Sequence, residues 1–236
     1  MIPYHFEIKS GRRGRSAEHI NYITRMGSHS AHEDLIAIEY GNMPQWADDD
    51  PKIFFNASDK HERKNASPFR SMIFNLPKVL TNEQNKRLAR DIAHALVGKK
   101  PFLLAVHVPL SSLAGEIHPH GHVIVSDRIP DSIERSPEQT FRRFNRAHPE
   151  RGGCEKDSGG KNRLEQRDWV VAQRKIVAAE INDALASHGH RDRIDHRSLL
   201  ERGERRQPEP YLGPARIRNM SENDKEQYVK ARRNRR

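Results

Sequence analysis

The alternation of hydrophobic and polar positions predicts short β-strands along the chain. Residues 2–9, IPYHFEIK, alternate as an amphipathic strand does, and residues 35–40 and 69–76 have the composition of further strands. Two more strands are predicted in LLAVH at 103–107 and in IHPHGHVIVSD at 117–127. A loop rich in Ser, Gly and Pro joins these last two, so we expect them to pair antiparallel.

Apolar residues at helical spacing predict helices between the strands. A first helix is predicted to be capped by Ser16 and to end at Gly27. Thr81 and Gln84 form a capping-box pattern that opens a second helix, and its apolar stripe ends at Gly98. We expect this second helix to cover one face of the sheet.

The rest of the chain contains less regular segments and one long helix. Residues 41–65 are predicted to be an irregular excursion with aromatic anchors. A short helix is predicted to start at Ser136 and to continue through FRRFNRAH at 141–148. A long helix is predicted over 169–189. Residues 220–236 form a highly charged tail.

These elements predict a mixed α/β fold of the α+β class. We expect a central antiparallel sheet of about five strands, with the two histidine-containing strands in its interior. The helices are expected to pack on one face, with the helix that carries Tyr22 at the edge where the histidines lie. A chain of 236 residues is long enough for one substantial core and an appended arm.

The chain is strongly basic, with a formal net charge of +10 and a sequence pI near 9.9. A polyanion is therefore the expected partner, and the basic residues are densest at 9–15, 142–151, 202–206 and 232–236, although any one such cluster could equally be a solubilising surface. No apolar run is long enough for a membrane span or a signal peptide, so we expect a cytoplasmic protein without membrane insertion. Cys154 has no partner cysteine, which excludes a disulfide or a multi-thiolate zinc site within one chain.

Histidines in the two adjacent strands form a candidate metal site. His120 and His122 leave one strand on the same face, and antiparallel pairing brings His107 of the preceding strand towards them. Inward-facing imidazoles are costly without a shared ligand, which disfavours the alternative of an exposed histidine-rich patch. A triad of His118, His120 and His122 would span roughly 13 Å, too far to close on one ion. We therefore place His118 outside the triad, at the open end of the strand, where it contacts substrate or remains a solvated loop residue.

The motifs along the chain resemble those of the MobA/MobL relaxases, the plasmid mobilisation nucleases of the HUH endonuclease superfamily. The strongest is the HPHGHVIVSDRI stretch preceded by LAVH. The other matching segments, in chain order, are YHFEIKSGRRGRSA, NYITRMG, ERKN, NLPKVLT, DRIDHRSL and PYLGP. The resemblance covers nearly everything to Pro214 and implies a relaxase domain at residues 1–214. Residues 215–236 would be a basic charged tail or the start of a linker to a further domain.

The resemblance implies that Tyr22 is the nucleophile and that His107, His120 and His122 hold a divalent cation. On its own, a tyrosine on a helix is more often a packing residue. The implied reaction is site- and strand-specific nicking of single-stranded DNA at an origin of transfer, which gives a 5'-phosphotyrosyl intermediate and is reversed after transfer. Phosphate oxygens suit Mn²⁺ and Mg²⁺, so we expect one of these ions, and three imidazoles also accept Zn²⁺.

Two positions depart from the family pattern. Relatives often carry a glutamate in the strand before the LP turn, whereas this strand reads FRSMIFNLP, with Ser71 and Ile73 and no acid. Asp195 in the DHRS turn is a candidate substitute for orienting a ligand histidine, the alternative being that it caps Arg197 and Ser198. His118 stands where relatives commonly have an asparagine, and it could add a donor to the scissile phosphate.

DNA recognition is expected to use arginines for the phosphates and aromatic side chains for unpaired bases. The candidate DNA-binding residues are Arg12, Arg13, Arg15, Arg25, Arg142, Arg143 and Arg146. The resemblance also implies accessory mobilisation proteins and a type IV secretion coupling protein as partners. It implies a bacterial cytoplasmic location, from which the covalent protein–DNA complex is exported to a recipient.

Two other functions are compatible with the same residues. A rolling-circle replication initiator uses the same histidine pair and the same chemistry, but the DHRSL and PYLGP segments match mobilisation proteins instead. An origin-binding repressor with a catalytically weak site is favoured by the missing glutamate. Nicking of supercoiled plasmid with and without EDTA separates an enzyme from a binder.

Overall fold

The computed structural model of the chain describes residues 4–111, 113, 115–205 and 212–234. The strands are β1 (Phe6–Ser10), β2 (Leu35–Gly41), β3 (Arg70–Asn75), β4 (Phe102–His107), β5 (His120–Val125), β6 (Arg128–Ile129) and β7 (Glu155–Lys156). The α-helices are α1 (Ser16–Ile23), α2 (Pro51–His61), α3 (Asn82–Val97), α4 (Pro137–Thr140), α5 (Arg163–Ser187), α6 (Gly213–Arg218) and α7 (Glu222–Asn234). The start of the predicted first strand, at 1–3, and Pro210 and Tyr211 of the PYLGP motif lie outside the described residues.

Five strands form one antiparallel sheet in the order β1-β3-β5-β4-β2. Strand β5, which carries His120 and His122, is central, and β4, which ends at His107, lies directly beside it. The predicted antiparallel sheet with both histidine strands in its interior is therefore confirmed. The short strands β6 and β7 pair with each other in a second, two-stranded sheet.

Helices pack on both faces of the large sheet, so the prediction that they cover one face is wrong. On the first face, α3 and α5 contribute to a core that includes Phe74 and Val123. On the second face, α1 and α2 pack with Leu103 and Ile124. Every residue of β4 is buried, as a strand covered on both sides requires. His122 alternates in phase with Ile124, so the histidines face the side of α1 and α2.

The segment 41–65 contains helix α2 where an irregular excursion is predicted. Asp50 caps this helix by accepting a hydrogen bond of 2.7 Å from the backbone N–H two residues on, and Pro51 occupies the first turn. The predicted aromatic anchors Phe54 and Phe55 lie in α2 and are buried in the second core. Helix α2 of this segment therefore helps to cover the second face of the sheet.

Helix α1 starts at Ser16, but the side chain of this residue does not cap it as predicted. The backbone N–H of Ser16 donates to Asp59 Oδ2 of α2 at 3.0 Å, and its hydroxyl donates to the carbonyl of Phe55 at 3.0 Å. The start of α1 is thus stabilised by the neighbouring helix. In α3 the predicted capping box is present, with Gln84 N donating to Thr81 Oγ1 and Thr81 N donating to Gln84 Oε1.

Helix α4 is a single turn that ends at Thr140, so the prediction that it continues through 141–148 is wrong. The guanidinium of Arg128 donates to the carbonyls of Phe141 at 2.6 Å and Arg142 at 2.8 Å. These carbonyls thus accept from a side chain of another element at the place where a continuing helix would have them accept from backbone N–H groups. The arginines of this segment therefore lie on an irregular loop.

The long helix α5 begins at Arg163, earlier than the predicted start at Trp169. Asn162 and Glu165 form a capping box at its first turn, which the apolar stripe does not reveal. Within the ranges that the structure describes, no helix combines the length and the apolar character needed to cross a bilayer.

Candidate metal and nucleophile site

Three histidines converge at the ends of the two interior strands. His107 and His120 are register partners in β4 and β5, and His122 follows on the same face of β5. The ring centroids are 5.3 Å apart for His107 and His120 and 4.9 Å apart for the other two pairs. One nitrogen from each ring lies within 4.8 Å of the other two, so the three rings can bind one ion.

Burial keeps this triad neutral. His107 and His122 are buried, and His120 is half-buried. Desolvation lowers the pKa of all three imidazoles, to about 4 for His120 and to about 2 for His122. At neutral pH each ring therefore offers a lone pair without a positive charge, which is the state that binds a cation.

Backbone carbonyls orient two of the rings. His120 Nδ1 lies 2.8 Å from the carbonyl oxygen of His118, and His107 Nε2 lies 2.7 Å from that of Ile23. A carbonyl only accepts, so these nitrogens carry the proton, and His120 Nε2 and His107 Nδ1 carry the lone pairs. His122 Nδ1 is buried and has no hydrogen-bond partner among the described residues. Three neutral imidazoles, two of them oriented by carbonyls, fit a bound divalent cation.

Tyr22 stands beside the triad on helix α1. Ile20 and Ile23 of this helix are buried in the second core, which leaves Tyr22 at the border of the core with 42% of its surface exposed. Its ring meets His122 edge-on, with centroids 6.1 Å apart, and meets His29 at 5.3 Å. The structure thus brings the predicted nucleophile and the predicted metal ligands together.

Arg25 and Asp34 form an ion pair that connects the end of α1 to the triad. Arg25 Nε and Nη2 donate to the two carboxylate oxygens of Asp34 at 2.8 and 2.7 Å, and the side chains are only 10% and 14% exposed. Arg25 Nη1 donates to the carbonyl of Tyr22 at 3.0 Å, and Nη2 lies 3.2 Å from His107 Nδ1. The guanidinium also lies 5.2 Å from the centre of the Tyr22 ring. Arg25, a predicted DNA-binding residue, is therefore part of the site itself.

The backbone around Arg25 is adapted to this placement. Helix α1 ends at Ile23, before the predicted glycine, and Arg25 has a φ of +55°. A non-glycine residue in this left-handed region costs about 1–3 kcal/mol, and such strain is concentrated at functional sites. Asp34 directly precedes β2, where Leu35 pairs with His107, so sheet register brings the carboxylate to the triad. The sequence analysis does not identify Asp34 as a residue of the site. Its position immediately before a predicted strand is the feature of the sequence that could have indicated it.

Asp195 does not reach the triad. Its carboxylate accepts hydrogen bonds from the backbone N–H of Arg197 at 2.9 Å and from its side chain at 2.7 Å. The adjacent Ile194 packs in the first core, on the sheet face away from the histidines. The structure therefore corrects the hypothesis that Asp195 orients a ligand histidine. Of the alternative, in which it caps Arg197 and Ser198, the contact with Arg197 is present, whereas the backbone N–H of Ser198 donates to Glu201.

His118 lies outside the triad, at the exposed approach to β5. Its ring centroid is 5.5 Å from that of His120, and its carbonyl orients the His120 ring. Its backbone N–H donates to the carbonyl of Pro109 at 2.9 Å, which fixes the chain at the strand mouth. His118 thus borders the site at the position where the sequence places it.

Ser71 and Ile73 of β3 face the same side of the sheet as the triad. Ile73 is the register partner of His122, and the hydroxyl of Ser71 lies 3.0 Å from His19 Nε2. The His19 ring stacks on Phe69 with centroids 5.6 Å apart, and burial lowers its pKa. An apolar side chain and a Ser–His pair therefore occupy this side of the site. His19 has no distinguishing pattern in the sequence.

The other predicted DNA-binding arginines fall into two groups. Three have partners within the fold: Arg13 donates to the carbonyl of Asp59 at 2.7 Å, Arg15 pairs with Glu18, and Arg142 pairs with Glu138. Three others are exposed, and the described residues give their side chains no hydrogen bond or ion pair: Arg12, Arg143 and Arg146. The second group is the better placed for contact with phosphates.

Comparison with known proteins gives a family profile and several relatives. Residues 12–222 match the profile of the MobA/MobL family. The chain is 35% identical over 206 residues to the 43 kDa relaxation protein of Salmonella typhimurium, covering 86% of this chain and 56% of that protein. It is 37% identical over 220 residues to Mobilization protein A of Escherichia coli, covering 91% and 30%, and 30% identical over 215 residues to Mobilization protein MobL of Acidithiobacillus ferridurans, covering 83% and 53%. The chain thus spans 30–56% of the length of these curated relatives.

A solved structure has the same fold. It is described as the molecular basis of vancomycin resistance transfer in Staphylococcus aureus, and it superposes with a TM-score of 0.59. The match covers 84% of this chain and 100% of that one, at 20% sequence identity. At this level of identity the likeness concerns the fold alone.

Proposed function

The chain belongs to the MobA/MobL family, and on this premise we propose that it contains the DNA-cleaving domain of a plasmid mobilisation relaxase. The proposed reaction is metal-dependent nicking of one DNA strand at an origin of transfer, by transesterification onto Tyr22. One observation carries the proposal. An accessible phenol lies edge-on to His122, beside three neutral imidazoles that can bind one cation.

In the proposed step, Tyr22 Oη attacks the phosphorus of one phosphodiester in single-stranded DNA. The new bond joins Tyr22 to the phosphate of the 5' end, and the bond from phosphorus to the 3' oxygen breaks. The phenolic proton leaves and the 3' oxygen gains a proton. One phosphodiester replaces another, so attack by the 3' hydroxyl can reverse the step and release Tyr22.

The chain's own groups would position the nucleophile. Arg25, held by the two hydrogen bonds that it donates to Asp34, anchors the carbonyl of Tyr22 and lies against its ring. An ordered guanidinium of this kind limits the orientations of the phenol, which favours attack along one line. The exposed side of Tyr22 remains open to a DNA strand.

The triad would hold the divalent cation, as Mn²⁺ or Mg²⁺ or, as an alternative, Zn²⁺. His120 would use Nε2, because its Nδ1 is bound to the carbonyl of His118. When bound, the cation supplies positive charge for a non-bridging phosphate oxygen in the transition state. His107 and His122, both buried, would limit the access of water to the site.

We assign contact with the DNA backbone to three exposed arginines. Arg12, Arg143 and Arg146 carry charge without a partner among the described residues. Binding of phosphates to such groups releases counterions, so affinity for DNA should fall steeply with salt concentration. His118, at the mouth of β5, is a further candidate for contact with the scissile phosphate.

A second function, an origin-binding repressor with a weak catalytic site, is favoured by one observation. Ser71 and Ile73 face the triad and neither is an acid, so no carboxylate from β3 supports the cation. A repressor would bind origin DNA without cleaving it in any divalent metal. A rolling-circle initiator would cleave by the same chemistry at a replication origin, so the preferred DNA sequence distinguishes it.

The wider assignments are part of the same proposal. Residues 1–214 would form the relaxase domain, and 215–236 a basic tail or the start of a linker. The partners would be accessory mobilisation proteins and a type IV secretion coupling protein. The reaction would take place in the bacterial cytoplasm, and the covalent complex would be exported to a recipient cell.

The decisive experiment is capture of a covalent protein–DNA complex. Single-stranded oligonucleotides that tile the DNA flanking the gene are incubated with the chain in Mn²⁺, Mg²⁺ or EDTA, and the mixture is then denatured. We expect one oligonucleotide to be cleaved, in metal only. Its 3'-side fragment should remain attached to the protein through the new 5' phosphate, its 5'-side fragment should be released with a 3' hydroxyl, and peptide mapping should place the attachment at Tyr22. Specific binding without any covalent product would support the repressor, and attachment at another residue would overturn the assignment of Tyr22.

A further inference from the structure

Both ring nitrogens of His107 are engaged by the chain itself. Nε2 lies 2.7 Å from the carbonyl oxygen of Ile23, which can only accept, so Nε2 carries the proton. Nδ1 lies 3.2 Å from Arg25 Nη2, which can only donate, so Nδ1 carries the lone pair. The two contacts require the same tautomer of a neutral imidazole. The lone pair that a cation would need is therefore the one that Arg25 uses.

A cation on His107 excludes this contact whichever nitrogen binds it. If Nδ1 binds the cation, its lone pair is no longer available to Arg25. If Nε2 binds the cation, the proton of the neutral ring moves to Nδ1, and two donors then face each other. In both cases the hydrogen bond from Arg25 to His107 is lost.

The rest of the Arg25 side chain is held independently of His107. Of the five N–H donors of a guanidinium, two bind Asp34 and one binds the carbonyl of Tyr22. Loss of the fourth contact therefore frees one N–H while the group stays in place. The guanidinium carbon lies 5.2 Å from the centre of the Tyr22 ring, so the freed N–H remains beside that ring.

We propose that Arg25 competes with the divalent cation for His107, so that the cation binds in exchange for this hydrogen bond and frees a guanidinium N–H for a phosphate oxygen of the DNA. The inference rests on the proposed function, because it assumes that the triad binds a cation. Arg25 then acts as a positioning residue that weakens cation binding until a phosphate is present. By linkage, DNA should strengthen cation binding, and the cation should strengthen DNA binding to the same degree.

The test compares the Mn²⁺ affinity of three proteins without DNA, measured by calorimetry at one pH. Arg25→Met removes the competing donor but leaves the Asp34 carboxylate unpaired, which would attract a cation by charge alone. The double variant Arg25→Met/Asp34→Asn removes both charges and keeps the net charge of the wild type. Loss of a hydrogen bond to a charged group corresponds to about a tenfold effect. We expect the double variant to bind Mn²⁺ about tenfold more tightly than the wild type.

A double variant that binds Mn²⁺ as the wild type does, or more weakly, would overturn the proposal. Arg12→Met serves as a control for loss of one exposed positive charge, and we expect less than a twofold change. If neither the wild type nor any variant binds Mn²⁺, the cation site and the proposed function fail together. If nicking requires Mn²⁺ and the double variant gains no affinity, only the competition is disproved.

A second measurement uses the wild-type protein and needs no variant. The side-chain nitrogen resonances of Arg25 and the ring nitrogens of His107 are followed by NMR during addition of Mg²⁺. We expect the His107 nitrogens to report loss of the Arg25 contact, and the Arg25 resonance to shift at the same Mg²⁺ concentration, while that of Arg12 stays constant. A contact between Arg25 and His107 that persists in saturating Mg²⁺ would contradict the exchange.

Discussion

The phenol ring of Tyr22 stands edge-on to the imidazole of His122, with ring centroids 6.1 Å apart. The contact joins helix α1 to the central strand of the sheet. Ile20 and Ile23 anchor α1 in the core on this face, so the position of the ring depends on packed elements and not on a loop. A site built on such elements can hold the proposed nucleophile at a constant place beside the proposed cation.

We expect Tyr22→Phe to lower cleavage of the cognate oligonucleotide at least about a thousandfold, because the attacking oxygen is removed. Binding of the same oligonucleotide should change less than threefold, since the ring and its edge contact remain. Tyr40→Phe is the matched control, because Tyr40 is also exposed but lies on the edge strand β2. Cleavage is measured in single turnover, and cleavage by Tyr22→Phe at the wild-type rate would exclude this tyrosine.

The nicking rate and the Mn²⁺ affinity should distinguish the histidines of the triad from the neighbouring His118. We expect EDTA, His120→Ala and His122→Ala each to lower nicking by more than about a hundredfold, since a ligand matters at least as much as the groups that orient it. His118→Ala should keep its Mn²⁺ affinity and lose at most about tenfold in rate, because His118 orients His120 through a backbone carbonyl that the substitution retains. Equal losses of Mn²⁺ affinity in His118→Ala and His120→Ala would show that the ligand set is wrong.

Asp34 and Asp195 offer a comparison between two carboxylates. Asp34→Asn leaves one acceptor where Arg25 now has two, so the guanidinium against Tyr22 should become less ordered, and we expect the single-turnover rate to fall about tenfold. Asp195→Asn should change that rate less than twofold, because its partner is Arg197 on the other side of the sheet. Both rates are measured well below the melting temperature of each variant. An effect of Asp195→Asn as large as that of Asp34→Asn would contradict this assignment.

Gly121 lies between the two triad histidines of β5. A side chain at this position would point to the other face of the sheet, towards the first core. A Cβ at this position would lie 2.4 Å from the ring of Phe74, its buried register partner. We expect Gly121→Ala to lower the free energy of unfolding by about 1–3 kcal/mol, as overpacking does, and to weaken Mn²⁺ binding by shifting β5. Gly41→Ala, whose Cβ would lie 3.2 Å from Phe102, should cost less. Urea denaturation of the wild type, Gly41→Ala and Gly121→Ala tests this order of stability. Equal stability of Gly121→Ala and the wild type would disprove the prediction.

The buried pair of Glu62 and Arg128 predicts how stability depends on pH. Burial alone would raise the pKa of Glu62, but hydrogen bonds and charge from Arg128, with Lys156, outweigh it and lower the pKa below the usual 4.5. A lowered pKa means that the stabilisation is fully present above pH 4.5 and is lost as the pH falls through the value in the folded protein. The melting temperature should therefore drop in acid.

A substitution isolates this carboxylate. Glu62→Gln leaves Arg128 buried without its counter-charge, so we expect a loss of about 3–5 kcal/mol in the free energy of unfolding at pH 7 and a weaker dependence on acid. Glu138→Gln removes an exposed carboxylate that pairs with Arg142, and it should leave the melting temperature unchanged. Thermal melts between pH 3 and 7 test both. Identical acid profiles for wild type and Glu62→Gln would rule out this carboxylate as the source.

The sequence by itself determined the parts of the site that follow from local periodicity. Alternation with a period of two placed His120 and His122 on one face, and antiparallel pairing of two neighbouring strands brought His107 to them. The capping box of Thr81 and Gln84 was also readable, because its two residues lie within one turn. These relationships hold wherever the segment is placed in the fold. The proposed role of Tyr22 as the nucleophile, by contrast, rests on the resemblance of the flanking motifs.

Only the tertiary structure decided which charged groups meet. Arg25 reaches His107 and Asp34 because β2 pairs with β4, and Asp59 stabilises the start of α1 because α2 packs beside it. Periodicity also could not show that helices cover both faces of the sheet, since a continuous apolar run such as that of β4 does not reveal what lies on each side. Hydrophobic patterns are read within one segment, whereas ion pairs and hydrogen bonds between distant segments depend on how those segments pack.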